Sequence, residues 1–252
     1  MNVNTPPLRR SRQTTTVLCV DDDEDHLELL ERSLGDHDAF EVRAETDPTV
    51  VRDRLDGVDC LVVADDLGEC DGATLLETVR EEAPTLPVVL HSPVPVGELP
   101  AETLADPWTD VLEQSTDGAR TDLLQHRVTT LVDRRALETT ARRCREALEA
   151  SREATLIVAP DGTVTFANSR LASELSASPD ELQGRSWTDL LTEDSVDRLR
   201  TEAFPVAADG WSWTGPTTLA ADGVDDCRTT LSRLDDGSSV FVFHELARSN
   251  DE

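Results

Sequence analysis

Three short apolar runs in the first half of the chain each end on polar side chains able to do chemistry. TVLCV runs into Asp21-Asp22, CLVVA runs into Asp65-Asp66, and PVVLH runs into Ser92. Each run has the length and apolar content of a buried strand, so each delivers a carboxylate or hydroxyl to a loop. In an open α/β sheet that is where ligands sit. The plain alternative for Asp21 and Asp22 is a pair of solubilising acids at a strand end, and for Ser92 a cap on the next segment. Cysteine chemistry is not indicated. The five cysteines (Cys19, Cys60, Cys70, Cys144, Cys227) form neither CxxC nor a Cys/His set, and Cys19 and Cys60 read as buried thiols.

The elements that position these residues alternate between strand and helix. After TVLCV, Leu27, Leu30 and Leu34 fall at helical spacing, FEVRA alternates as a strand, and Asp47-Pro48 opens a second helix. CLVVA is a third strand, Thr74 to Arg80 a helix with Leu75, Leu76 and Val79 on one face, and PVVLH a fourth strand. Pro93, Pro95 and Pro100 bar a full helix from the next crossover, and Asp110-Val111-Leu112 makes a short fifth strand. This order predicts a doubly wound α/β domain with a parallel five-stranded sheet over 16–118, after a disordered arm at 1–15.

From about 119 to 151 the pattern is one long connecting helix. Leu137, Ala141, Cys144 and Leu148 follow a 4–3 alternation that can form a weak coiled-coil seam, so a homodimer through this helix is expected. Beyond it, over 152–246, strand–turn–strand patterning takes over. TLIVA and TVTFAN flank Asp161-Gly162, and Ser178-Pro179-Asp180-Glu181 is a capping box. Three strand-like runs at 211–219, 225–234 and 239–245 are joined at Asp222-Gly223 and Asp236-Gly237. This second half is an α+β domain with an antiparallel five-stranded sheet, followed by a tail at 247–252.

The charge is extreme, with 52 acidic residues against 23 basic ones and a net charge of −29. Every basic residue is arginine; the chain contains no lysine. Such a surface resembles that of proteins from salt-accumulating halophiles, where self-repulsion is screened within about 3 Å at 1 M salt. It argues against nucleic acid as a partner. No apolar run approaches the roughly 18 residues of a membrane span, and the opening MNVNTPPLRRSRQTTT lacks the apolar core of a signal peptide. A cytoplasmic protein without membrane contact is expected.

VLCVDDD, the HSP after the fourth strand, the element order and the Asp71-Gly72 loop end together resemble a two-component response-regulator receiver. The resemblance implies that Asp21 and Asp22 bind Mg²⁺, that an aspartate after the third strand accepts a phosphoryl group from a histidine kinase, and that Ser92 senses it. Counting back from Asp71-Gly72 at the family's usual loop length places Ala64 at the acceptor position. A one-residue loop deletion would place Asp65 there instead. The ungapped register also matches Asp66-Leu67 and is preferred. The family's lysine on the fifth strand has no counterpart, and TDVLEQS offers Gln114. A degenerate receiver follows, with phosphorylation on Asp65 as the alternative.

The second domain resembles a PAS sensory domain through LIVAPDGTVTFAN and SELSASPDELQGRSWTDLL, with Asn168 capping a helix and Gly184 ending the next. PAS domains hold haem, flavin or small ligands. Here no cysteine lies between Cys144 and Cys227 and no histidine between His126 and His244, so neither flavin nor haem chemistry is supported. Trp187, Trp211 and Trp213 read as core, or as the lining of a pocket. His126, followed by Arg127-Val128, reads as a surface helix residue, and no ATP-binding or helix-turn-helix segment is evident. The expectation is a non-enzymatic signalling protein working through protein contacts. The competing readings are an active regulator and a structural dimerisation adaptor.

Overall fold

A computed structural model describes residues 14–35, 39–68, 70–99, 101–113, 121–221 and 226–244. The chain forms two compact units, one reaching Ala141 and the other starting at Arg142.

In the first unit, β1 (Thr15–Val20), β2 (Phe40–Glu45), β3 (Cys60–Ala64), β4 (Val88–Ser92) and β5 (Thr109–Glu113) form one parallel sheet in the order β2-β1-β3-β4-β5. β3 and β4 are buried along their whole length, and β1 along all but its first residue, which is why their sequences read as continuous apolar runs. The side-chain alternation divides them between two cores. Val17, Cys19, Cys60, Val62 and Val89 meet Leu27, Leu30 and Leu34 of α1 (Glu24–Gly35) and Leu124, Val128, Leu131 and Val132 of α4 (Thr121–Glu149). Leu18, Leu61, Val63, Val88 and Leu90 meet Leu75, Leu76 and Val79 of α2 (Gly72–Glu82). Both faces are therefore covered, as a doubly wound sheet requires.

Two crossovers are short. Asp47 caps its segment as expected, accepting from Thr49 N at 2.8 Å, but Pro48–Arg54 is a 3₁₀ turn rather than an α-helix. It buries only Val51, and the adjacent β-branched side chains at 49–51 favour no longer helix. The proline-rich crossover holds only a turn at Val96–Glu98 and the five-residue α3 (Ala101–Ala105).

In the second unit, β6 (Ala154–Val158), β7 (Val164–Ala167), β8 (Trp213–Thr217), β9 (Cys227–Arg233) and β10 (Ser239–His244) form an antiparallel sheet in the order β7-β6-β10-β9-β8. Short helices cover its inner face: α5 (Ser169–Glu174), α6 (Pro179–Leu182), α7 (Glu193–Arg198) and α8 (Phe204–Ala208), with one wide helical turn at Leu199–Ala203. The Ser178 capping box forms in full with Pro179 at its first turn. Gly162 and Gly237 take the positive φ that their hairpin turns need. The Asp222-Gly223 turn lies outside the described residues. Trp187 is core and Trp213 packs partly against it, whereas Trp211 is 63 % exposed. Trp211 precedes β8 in the turn after Gly210, so the strand's alternation never turns it inward.

Asn168 ties this unit together. Its side chain is fully buried and uses all four of its hydrogen-bonding positions. Oδ1 accepts from Thr155 N and Leu171 N, both at 3.0 Å, while Nδ2 donates to Leu148 O at 3.0 Å and Glu153 O at 2.9 Å. One amide thus caps α5, pairs with β6 and closes the end of α4. Asn168→Ala should cost about 2–4 kcal/mol, because a lost cap combines with several unsatisfied buried groups. Urea unfolding in multimolar KCl reads this directly, and Asn168→Asp, which keeps the two accepted bonds, should fall between wild type and alanine.

Candidate functional site

The strand order reverses between β1 and β3, and in such a sheet the carboxyl ends of the strands flanking that point open a crevice. Asp21, Asp22, Ala64, Asp65 and Ser92 all lie at this end.

Asp21 continues β1, its N–H donating to Glu45 O at 3.2 Å, and it is only 3 % exposed. Its Oδ1 accepts from Asp23 N at 3.0 Å, and its Oδ2 meets Nδ1 of His26 in a very short contact. An ionised carboxylate only accepts, so Nδ1 is the donor. The His26 ring in turn stacks on that of His91 from β4, with centroids 4.9 Å apart and an interplanar angle of 27°. The hydrogen bond with Asp21, helped by the charges of Asp21 and Asp23, outweighs partial desolvation and raises the His26 pKa above its usual 6.5. Asp22 is exposed, its carboxylate lying against Gly68 so closely that a Cβ there would stand 2.9 Å from Oδ2.

Across the crevice, Ser92 is fully buried, and its hydroxyl donates to Asp65 Oδ2 at 2.7 Å while accepting from Val94 N at 3.0 Å. It therefore both contacts a carboxylate and caps the following segment. Ala64 ends β3 in register with His91, its methyl buried in the core with Val63 and Leu67. The loop after it is tight: Gly72 N donates to Asp65 O at 2.8 Å, and a Cβ on Gly72 would meet Ala64 O at 2.7 Å. Asp71 caps α2 by accepting from Thr74 N at 2.6 Å, and the Thr74 side chain together with that backbone bond lowers its pKa. Gln114 lies outside the described residues.

The donor set does not fit the magnesium ion that the receiver resemblance implies. Asp21 spends both oxygens on His26 and Asp23, and Asp65 receives the serine hydroxyl. Among the described residues no three His, Cys, Asp or Glu side chains gather within reach of one ion. Sequence reading overlooked His26 and His91. The signals were a histidine in the first turn of α1, five residues past Asp21, and a histidine interrupting the apolar strand VVLHS.

In the second unit a cavity of about 260 Å³ opens beside the β6–β7 turn, walled by Pro160, Trp187 and Phe204 with Arg233 at its rim. Trp187 stands 5.4 Å from Phe204 and 5.8 Å from Phe241, centroid to centroid, so the wall is continuous with the aromatic core.

Residues 148–247 match a family model described as the PAS fold. No curated protein matches the chain. Among solved structures, a response regulator receiver protein from Sinorhizobium medicae is 24 % identical, covering 50 % of this chain and 99 % of its own, with a TM-score of 0.41. A PAS domain, in complex with ethanol, of a transcriptional regulator in the LuxR family from Burkholderia thailandensis is 20 % identical, covering 39 % of this chain and 93 % of its own, with a TM-score of 0.34. A domain of a sensory box sensor histidine kinase/response regulator from Geobacter sulfurreducens is 18 % identical, covering 43 % of this chain and 96 % of its own, with a TM-score of 0.36.

Because folding raises the His26 pKa, the contact stabilises fully below the unfolded value near 6.5 and is lost as pH rises through the higher folded value. Melting temperature should therefore fall as pH rises above about 6.5 in wild type, and that component should be absent in His26→Gln.

Proposed function

We propose that the chain is a non-enzymatic signalling protein in which a receiver-type domain that has lost its phosphoryl acceptor is coupled to a PAS module and acts through protein contacts. The observation that carries this reading is the buried methyl of Ala64 at the end of β3, the position counted for the acceptor. A methyl group cannot take a phosphoryl group, and phosphoryl transfer needs concentrated positive charge that a lysine-free chain does not supply by the usual side chain. The parallel sheet order and the PAS-fold match over 148–247 support the pairing of modules. No helix among the described residues is long and apolar enough to cross a membrane. A halophilic, cytoplasmic setting remains part of the proposal, as do signalling-protein partners and the absence of bound haem, flavin or nucleic acid.

One contact favours the competing reading of an active regulator phosphorylated on Asp65 by a histidine kinase. Ser92 Oγ stands 2.7 Å from Asp65 Oδ2, where a phosphoryl-sensing hydroxyl would be needed. Intact mass after incubation with acetyl phosphate and Mg²⁺ in multimolar KCl separates the two. An unchanged mass, with a conventional receiver labelled in parallel, is expected. An added phosphoryl group, labile to hydroxylamine and absent in Asp65→Asn, would establish the active regulator.

Self-association through α4 belongs to the same proposal. Leu137 is 72 % exposed, and Ala141 and Cys144 are exposed at the 4–3 spacing that a helical pair uses. The segment 119–153 carries eight arginines and six acidic residues, so two copies meet there without the repulsion of the rest of the surface. In a parallel pair Cys144 faces its copy. Mild oxidation should yield a cross-linked dimer lost in Cys144→Ser, and Leu137→Asp should shift the light-scattering mass toward monomer.

A further inference from the structure

We infer that His26, braced by His91, closes the acidic end of the first sheet against divalent metal by holding the buried Asp21 carboxylate itself. Asp21 is enclosed at the end of β1, and both of its oxygens are engaged, Oδ2 by His26 Nδ1 and Oδ1 by the backbone N–H of Asp23. A cation approaching Oδ2 must first displace the imidazole. That displacement is opposed by the β4 ring, because His91 stacks on the face of the His26 ring and lies in the same strand as Ser92.

The neighbouring carboxylates do not substitute for Asp21. Asp22 points outward over Gly68, and Asp65 is committed to the Ser92 hydroxyl on the opposite core face. Mg²⁺ demands near-octahedral oxygen coordination and gives up its waters reluctantly. A site whose most buried carboxylate already has a hydrogen-bond donor on each oxygen offers it little. The imidazole thus provides, covalently attached, the compensation that a burial of negative charge requires.

This inference goes beyond the proposed loss of the acceptor. Metal binding is read without any phosphodonor, so its outcome is independent of whether Asp65 can be labelled. The test is Mn²⁺ binding to the full chain, followed by electron paramagnetic resonance in multimolar KCl, with Mg²⁺ as competitor. Wild type should hold no Mn²⁺ that Asp21→Asn removes. His26→Gln should gain one site, tighter than any in wild type by about tenfold or more and lost again in the double variant with Asp21→Asn. Circular dichroism confirms that each variant is folded. A second measurement needs no variant: the ¹⁵N shifts of the His26 imidazole in wild type should not move on adding millimolar Mg²⁺. An Asp21-dependent Mn²⁺ site in wild type, a Mg²⁺-dependent shift of His26, or a folded His26→Gln chain that gains no site would each overturn the inference.

Discussion

A carboxylate buried at the end of a parallel strand needs hydrogen-bond donors for its oxygens, and Asp21 imposes that constraint on the first domain. The cost of an uncompensated buried charge is several kcal/mol, enough to dominate the marginal stability of a small domain. Here the compensation comes from His26 in the first turn of α1, which fixes how that helix begins, and His91 limits where the ring can go. The same logic runs through other buried acids of the chain. Glu45 pairs with Arg54 at 2.5 Å and Glu174 with Arg170 at 2.8 Å. With 52 acidic residues and no lysine, arginine and histidine are the basic side chains that reach these acids, and backbone N–H groups such as those of Asp23 and Asp47 add to them.

That distribution has a consequence for the surface. Arginines pair with some of the exposed acids, as Arg32 does with Glu28 and Arg134 with Glu138, but 52 acids against 23 arginines leave a net charge of −29 whose repulsion salt screens. Arginine then concentrates where geometry matters. Arg80 is the clearest case: it reaches Asp106 at 2.6 Å, Leu86 O at 2.7 Å and Thr109 Oγ1 at 2.9 Å, joining α2 to the starts of β4 and β5. A planar fork can make three such bonds at once, which an ammonium group with one flexible point charge does poorly.

Much of the fold was legible because its elements follow strong local rules. CLVVA and PVVLH are buried on both faces, so they read as uninterrupted apolar runs. Asn168, the Ser178 capping box and the Asp161-Gly162 turn were visible for the same reason, since caps and turns are chosen by nearby backbone. The 3₁₀ turn at Pro48–Arg54 was not legible, because its cap and proline look the same at the start of either helix type. His26 was missed because its role depends on a strand-to-helix contact and on a ring 65 positions away in β4, and neither leaves a mark in local spacing.

Side-chain alternation bears on the question of Asp65 in a way the loop count could not. Along β1, Val17 and Cys19 face α1, and Asp21 continues that parity to meet His26. Along β3, Leu61 and Val63 face α2, and Asp65 continues that parity to meet Ser92, whose own strand partners Val88 and Leu90 share the face. The two carboxylates nearest the crevice are thus sent to opposite sides of the sheet and satisfied there separately. Phosphoryl transfer needs its acidic groups to converge on one set of oxygens. Ala64, the last residue of β3, keeps its methyl in the core with Val63 and Leu67, so the first carboxylate beyond that strand is Asp65, and it meets Ser92 rather than the pair of Asp21 and His26.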